Sequence, residues 1–270
     1  MLKATDLRSW EDFENALALL PRWQDRPRHS PFLFRGQSDS EHLLETTLDR
    51  VGPGPMSMID YYRIVSTVKP EIEAHTGQRW PFPEMGKIRE FALSYDQVSW
   101  DLLGYEFLAH LRHHGFPSPL LDWSRSPYVA AYFACRNYRK SDAPDKKFSI
   151  YAFCERLTGA KATSSSDARI STFGPVVGTH HRHFRQQSEY SICIQFDREY
   201  GWKFARHESV AVPYESDVTQ DVVWKFNVPI SECPKILGIL SRYNLNAYSL
   251  FGTEESLAES LSIREFVLTK

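Results

Sequence analysis

The sequence has no long hydrophobic run, which argues against a membrane-embedded protein. No stretch approaches the roughly 18 consecutive apolar residues that a spanning helix needs, and no apolar h-region follows the first lysine. Neither membrane spanning nor secretion is therefore indicated. We expect a cytoplasmic protein without a membrane partner.

Cysteine is also scarce, and its placement excludes two classes of small domain. The four cysteines are far apart and form no Cys-x-x-Cys pair, which argues against a zinc ribbon or a disulfide scaffold. A reducing cytoplasm suits such isolated thiols. They are Cys135, Cys154, Cys193 and Cys233.

The chain lacks a charge excess, a repeat and a nucleophile motif. The formal net charge is -2 and the pI is near 6.6, so no global basic field recruits nucleic acid or an anionic membrane, although local basic patches are compatible with this balance. Nothing recurs at a fixed period, which argues against a solenoid. There is no Gly-x-Ser-x-Gly elbow and no motif around a cysteine.

The length and composition of the chain are compatible with a fold that contains both helices and strands. With 270 residues of which 42% are hydrophobic, the chain can bury one large core or two modest ones. We predict an α/β domain of the α+β type, with a central split sheet, mixed or antiparallel, flanked by helices.

Local patterns predict the main elements. Ser9 begins a capping-box-like pattern that opens a first helix. Residues 57–68 have helical spacing until Pro70 interrupts it, and we expect another helix over 89–103, joined through Gly104 to the next. Further strands are expected at 32–37, 148–153, 190–194 and 222–226, and a late helix at 234–243.

The stretch 106–136 carries most functional information. Its helix is stopped by Gly115 and Pro117, and the apolar run 120–124 fits a buried strand. Ser126 is a good N-cap for the helix that follows, and Pro127 suits its first turn. Polar residues at such a strand-to-helix junction lie at the rim of a cleft. The alternative is purely structural: Asp122 and Ser126 cap the helix and Trp123 fills the core.

These residues resemble the signature of FRG-domain proteins, named after a Phe-Arg-Gly tripeptide that is present here at 34–36. The family pattern is roughly Gln-His-x-Gly-x-Pro-Thr-Arg-Leu-Leu-Asp-Trp-Thr, then a helix with Ala and Phe-Ala. The chain departs from it with Arg112 for Gln, Ser118-Pro119 for Thr-Arg and Ser124 for Thr. It matches at His113, Gly115, Pro117, Leu120, Leu121, Asp122, Trp123, Ala130, Phe133 and Ala134.

The resemblance spans roughly residues 30–260 and sets the expected boundaries. Residues 1–30 are interpreted as a helical lead-in, 31–262 as the FRG domain and 263–270 as a C-terminal tail. Such proteins are suspected of acting in bacterial phage defence or as toxins, which the resemblance implies for this chain.

A second, weaker resemblance is to ADP-ribosyltransferases of the Arg–Ser–Glu type, and it concerns the order of Arg35, Ser124 and Glu189. It implies that NAD is consumed as a substrate, that the fold is ADP-ribosyltransferase-like and that no metal is needed. Glu189 would stabilise the oxocarbenium-like transition state. Arg35 would hold the pyrophosphate.

We expect a cleft where residues 34–37, 113–126 and 182–189 converge. The remaining candidate residues would line this cleft. Ser124 or Ser126 would orient the glutamate or the ribose, and Tyr132 or Phe133 would line the nicotinamide pocket. His113 is expected to brace Asp122 rather than act as a base. The other expected ligand-binding residues are Gly36, Gln37, Arg185 and Gln187.

Other functions stay open. The domain could be a non-enzymatic module in which Arg35, Asp122 and Arg185 grip a nucleotide or an acidic peptide. It could act on nucleic acid through the basic run 180–185. If it transfers ADP-ribose, the acceptor, protein or nucleic acid, is not defined by the sequence. A metal at Glu106, His110 and His114 is disfavoured, since no fourth ligand has suitable spacing.

Overall fold

The computed structural model describes residues 3–21, 31–52, 54–95, 102–157, 161, 167–174, 182–213 and 219–269. Within these residues a nine-stranded sheet forms the centre. Its strands are β1 (Ala4–Asp6), β2 (Leu33–Gln37), β3 (Leu120–Ser124), β4 (Lys147–Arg156), β5 (Arg169–Phe173), β6 (Ser188–Asp197), β7 (Gly201–Phe204), β8 (Val212–Pro213) and β9 (Gln220–Pro229).

Helices flank the sheet. Short 3₁₀ turns lie at His207–Ser209 and Ile230–Glu232, and a π-helical segment, Ile263–Leu268, follows the last α-helix. The α-helices are α1 (Trp10–Ala18), α2 (Thr47–Val51), α3 (Met58–Thr76), α4 (Met85–Leu93), α5 (Tyr105–His113), α6 (Pro127–Cys135), α7 (Arg182–Arg185), α8 (Cys233–Arg242), α9 (Ala247–Phe251) and α10 (Glu254–Ser262).

The sheet is mixed. Its strand order is β1-β9-β4-β2-β3-β6-β5, with β7 paired to β6 and β8 paired to β9. The pairings are antiparallel except for β1 and β8, which both run parallel to β9. This topology confirms the predicted α+β fold with helices flanking a mixed sheet.

The sheet opens at its middle, between β2 and β3. These two strands pair only at Phe34 and Ser124, whereas β2 keeps a five-residue register with β4 and β3 keeps one with β6. Because backbone pairing is lost beyond this point, the two halves of the sheet diverge. The opening leaves room for side chains from both strands.

Apolar clusters lie on both sides of the opening. Helices α1, α6 and α8 pack against β2, β4 and β9, with Phe34, Ala130 and Phe226 among the buried residues. Helices α3, α4 and α5 pack against β6 and β7 around Tyr62 and Trp202. The helices that flank the opening are therefore anchored on separate parts of the core.

Two helix predictions were wrong in their bounds. Helix α3 continues through Pro70 to Thr76 and ends at Gly77, which has a left-handed φ of 70°. Pro70 is exposed, so water can satisfy the carbonyl that lacks its N–H partner, while buried Tyr61, Val65 and Glu73 hold both halves of the helix. Helix α4 begins at Met85 and ends at Leu93 rather than spanning 89–103; residues 96–101 lie outside the described part.

Candidate functional site

A cleft of about 470 Å³ lies where the sheet opens. Strands β2, β3 and β6 and helices α2, α5, α6, α7 and α9 contribute to its walls. We call it the arginine cleft, because five arginines line it. They are Arg35, Arg50, Arg112, Arg136 and Arg182.

The charge balance of this cleft is strongly positive. Asp122 is the only carboxylate among the described residues that line it, and it stands against five arginines. The chain as a whole is slightly acidic, so the basic groups are concentrated locally. Such a site favours an anionic ligand.

Asp122 fixes two of the arginines. The Nη1 group of Arg35 donates a 2.7 Å hydrogen bond to the Asp122 carbonyl and lies 3.1 Å from its Oδ1 atom. Arg112 forms an ion pair with the same Oδ1 atom. Both guanidiniums are mostly buried, while the Asp122 side chain is 46% exposed toward the cleft.

The arginines also keep Asp122 ionised. Burial raises the pKa of this carboxyl, but the charges of Arg112 and Arg35 outweigh burial and hold the pKa well below its ordinary value. The Asp122 carboxylate in turn raises the pKa of Arg112. The three side chains form a preorganised unit with one excess positive charge.

The arginine cleft also contains buried polar atoms that lack hydrogen-bond partners. Within the described part of the chain these include Nε of Arg35, Nε of Arg112 and Oε1 of Gln37. The amide nitrogen of Gln37 donates to the Leu43 carbonyl at 2.9 Å, which fixes the orientation of the side chain. Unsatisfied buried groups cost stability, and their concentration here is typical of a functional site.

A histidine pair and a tyrosine form a second polar group beside the arginines. Nε2 of His113 lies 2.6 Å from Nε2 of His183 and 2.7 Å from the Tyr190 hydroxyl. Two ring nitrogens at this distance form a hydrogen bond only if one carries a proton and the other does not. Burial, and then the charge of Asp122, raise the pKa of Tyr190, so its phenol stays protonated. His113 and Tyr190 both line the cleft, which places an imidazole and a phenol at its surface.

Aromatic rings form another part of the wall. The guanidinium carbons of Arg136 and Arg182 lie 4.9 Å and 5.5 Å from the Phe251 ring centre. Phe133 meets Phe251 edge to face at 5.9 Å. Arg136 is held by paired hydrogen bonds to Glu259 at 3.0 Å and 2.6 Å. Rings and planar cations side by side offer stacking surfaces.

The structure brings seven of the residues predicted from sequence to the arginine cleft. Ser124 lies deep in it, where its hydroxyl donates to the Gln186 carbonyl at 2.7 Å and accepts from the Ser126 N–H at 3.0 Å. The seven are Arg35, Gly36, Gln37, His113, Asp122, Ser124 and Phe133.

Four other predicted residues have different surroundings and are not among the lining residues. Ser126 caps α6, with its hydroxyl accepting from the Val129 N–H at 3.3 Å. The Tyr132 hydroxyl donates to Glu259 at 2.8 Å. The side chain of Arg185 packs against Gly252. Gln187 is exposed and has a φ of 48°.

Glu189 also lies apart from the lining residues. It pairs with Trp123 in the β3–β6 register, whereas Asp122 pairs with Tyr190. Because directly opposed residues share a face and successive residues alternate, Glu189 and Asp122 point to opposite faces of the sheet. The Glu189 side chain is 5% exposed and forms an ion pair with Arg125.

Several residues of the arginine cleft were not among the ligand-binding residues expected from the sequence. Arg112 was visible only as a departure from the family pattern, and Arg182 belongs to the basic run 180–185, of which 180 and 181 lie outside the described residues. Arg50 lies in α2, far from any motif. Only the fold reveals that these cations share one site with Tyr190.

Two kinds of feature are absent from the described residues. They contain no group of three or more His, Cys, Asp or Glu side chains placed to hold a metal ion. The rings of His110 and His114 lie with their centres 4.4 Å apart and their planes tilted by 42°. No helix in the described residues is both long and apolar enough to cross a membrane.

Fold and site together define a class: an α+β protein with an arginine-lined cleft at an opening in its sheet. More specifically, residues 30–143 match the family model of the FRG domain. The match covers β2, β3 and α2 to α6, which supply Arg35, Arg112 and Asp122. No curated protein and no solved structure matches the chain.

Proposed function

We propose that the arginine cleft binds the pyrophosphate of a nucleotide, with NAD or a related dinucleotide as the ligand. The observation that carries this proposal is the convergence of five arginines with one carboxylate on a 470 Å³ cleft. Guanidinium groups bind phosphate oxygens through paired, charge-assisted hydrogen bonds. The volume lies in the usual range for small-molecule sites.

The aromatic wall supports a nucleotide rather than a simple phosphate ion. Phe133, Tyr190 and Phe251 line the cleft together with the arginines. A base or a nicotinamide ring can stack on such side chains, while the arginines hold the phosphates. The proposed ligand thus has a charged part, the pyrophosphate, and a planar part, the base or the nicotinamide ring.

Calorimetric titration with NAD, ADP-ribose and inorganic pyrophosphate tests the proposal. We expect all three to bind, and Arg112→Gln to weaken each by about tenfold or more, since a charge-assisted contact is lost. Arg63→Gln is the matched control, because Arg63 is exposed on α3 and, among the residues that the structure describes, pairs only with Asp60. No binding by any of the three ligands would overturn the proposal.

A second candidate is cleavage of NAD, for which Asp122 supplies an ionised, partly exposed carboxylate at the cleft. In this reaction the C1′–N bond breaks, its electron pair leaves with nicotinamide, and water or another acceptor adds to C1′ and loses a proton. A carboxylate near C1′ stabilises the developing cation. Both Asp122 and Glu189 are candidates for this role, and only Asp122 lines the cleft.

Release of nicotinamide from NAD distinguishes binding from turnover. If Asp122 serves the reaction, Asp122→Asn abolishes release while Glu189→Gln retains it; the opposite result assigns the role to Glu189. Binding without any release by the unmodified chain leaves the protein a nucleotide-binding module. The acceptor, a role in phage defence or toxicity, and action on nucleic acid stay predictions that rest on the family resemblance and on the basic run 180–185.

A further inference from the structure

A second cavity of about 220 Å³ adjoins the arginine cleft. Ser38 and Asn137 line both of them. The two spaces therefore meet at a shared wall formed by the chain just after β2 and just after α6. The two cavities are therefore neighbours, with Ser38 and Asn137 between them.

The second cavity combines an apolar floor with basic groups. Ala134 and Ile230 are buried and lie beside the ring of Tyr138 in its lining. Arg139 and Lys146 supply two positive charges. This combination suits a nucleoside that carries an anionic group.

The one carboxylate in this lining does not neutralise both cations. Asp142 accepts a 2.8 Å hydrogen bond from the backbone N–H of Arg139 and lies 3.5 Å from Nζ of Lys146. The guanidinium of Arg139 has neither a hydrogen bond nor an ion pair within the described part of the chain. One cation is therefore available to a ligand at this end.

We infer that the second cavity binds the nucleoside end of a dinucleotide whose ribose carries a third phosphate, with Arg139 contacting that phosphate. The inference rests on the proposed pyrophosphate site and names its ligand class: a phosphorylated dinucleotide such as NADP rather than NAD. The pyrophosphate lies in the arginine cleft, and the base lies on the floor formed by Ala134 and Ile230. An arginine beside the ribose is a known means of accommodating an additional phosphate.

Calorimetric titration of the full chain with NADP, NAD and inorganic pyrophosphate tests this inference. We expect NADP to bind about tenfold more tightly than NAD, because one more charge-assisted contact forms. Arg139→Gln removes this preference and leaves the affinity for NAD and for pyrophosphate unchanged. Lys140→Gln is the matched control, since Lys140 is exposed, adjacent in sequence and absent from both linings.

The outcomes separate the two proposals. Equal affinities for NADP and NAD, or a preference that survives Arg139→Gln, overturn the second site while the pyrophosphate site stands. A loss of preference in Lys140→Gln as well assigns the effect to general charge and also overturns it. If neither pyrophosphate nor NAD binds, the proposed function itself falls.

Discussion

Gly36 lies directly against the carbonyl oxygen of Ala130. A Cβ atom placed on Gly36 would stand only 1.9 Å from this oxygen and 2.7 Å from the backbone nitrogen of Ala134. The absence of a side chain lets α6 pack closely on β2. This contact places Phe133 and Arg136 of the α6 region at the same cleft as Arg35.

Gly36→Ala should therefore destabilise the protein and disturb the site. The added methyl group meets backbone rather than a flexible side chain, so α6 must shift, and we expect a loss of at least about 1–3 kcal/mol in the free energy of unfolding. Urea denaturation measures this loss. Gly86→Ala is the control: Gly86 lies in α4 with nothing near a Cβ, and we expect no loss there. Equal midpoints for the two variants would contradict the close packing.

Asp122→Asn should lower stability, because Arg35 and Arg112 are mostly buried and lose their shared carboxylate. A fully buried pair costs about 3–5 kcal/mol to break; we expect about 1–3 kcal/mol here, because Asp122 is 46% exposed. Asp60→Asn, which removes the exposed pair with Arg63, is expected to change stability by less than about 0.5 kcal/mol. A similar small change for both variants would show that Asp122 does not hold the two arginines.

Binding of inorganic pyrophosphate should weaken as salt is raised. Added ions screen the attraction between the arginines and the ligand, most strongly where the cleft is open to solvent. Titrations at low and high sodium chloride concentration measure the effect. An affinity that does not depend on salt would mean that the cationic lining does not dominate binding.

Acid should destabilise the protein through His207. Burial, and then the charge of Arg35, lower the pKa of His207 from 6.5 to about 3, and its Nε2 atom lies 2.9 Å from the Ser191 hydroxyl. The unfolded imidazole takes up a proton below about pH 6.5, while the folded one does so only near pH 3. Stability is therefore lost as pH falls through this window, on the order of a few kcal/mol.

Urea denaturation between pH 7 and pH 4 checks this prediction. His207→Gln should flatten the pH dependence, whatever it does to stability at neutral pH. His75→Gln, at an exposed position in the last turn of α3, should leave the dependence unchanged. Parallel pH curves for His207→Gln and the unmodified protein would contradict the assignment.

Much of the fold could be predicted, because its signals are local. Ser126 and Pro127 mark the start of α6 by their own chemistry, and the strand at 120–124 follows from its apolar run. The meeting of 34–37 with 113–126 came from the family resemblance. The helix end predicted at Pro70 was wrong, because the packing of buried residues along α3 outweighs the free-energy cost of a proline inside a helix.

The face that Glu189 occupies could not be read from the sequence. In a strand, a shift of one residue moves a side chain to the opposite face, and the strand begins just after Gln187, whose positive φ is not visible in a pattern. Arg50, in α2, joins the site only through long-range packing. The arginine side chains meet because of the way the strands and helices are arranged, and no residue spacing in the sequence predicts that arrangement.

The outer edge of β9 is covered by two short strands from distant parts of the chain. Ala4–Asp6 pairs with Lys225 to Asn227, and Val212–Pro213 pairs with Val222 and Val223. Removing residues 3–7 would leave N–H and C=O groups of β9 unpaired, and an uncovered edge is a template for aggregation. Shortened versions of the chain made for crystallisation should therefore keep this N-terminal strand, although it lies outside the segment that matches the FRG domain.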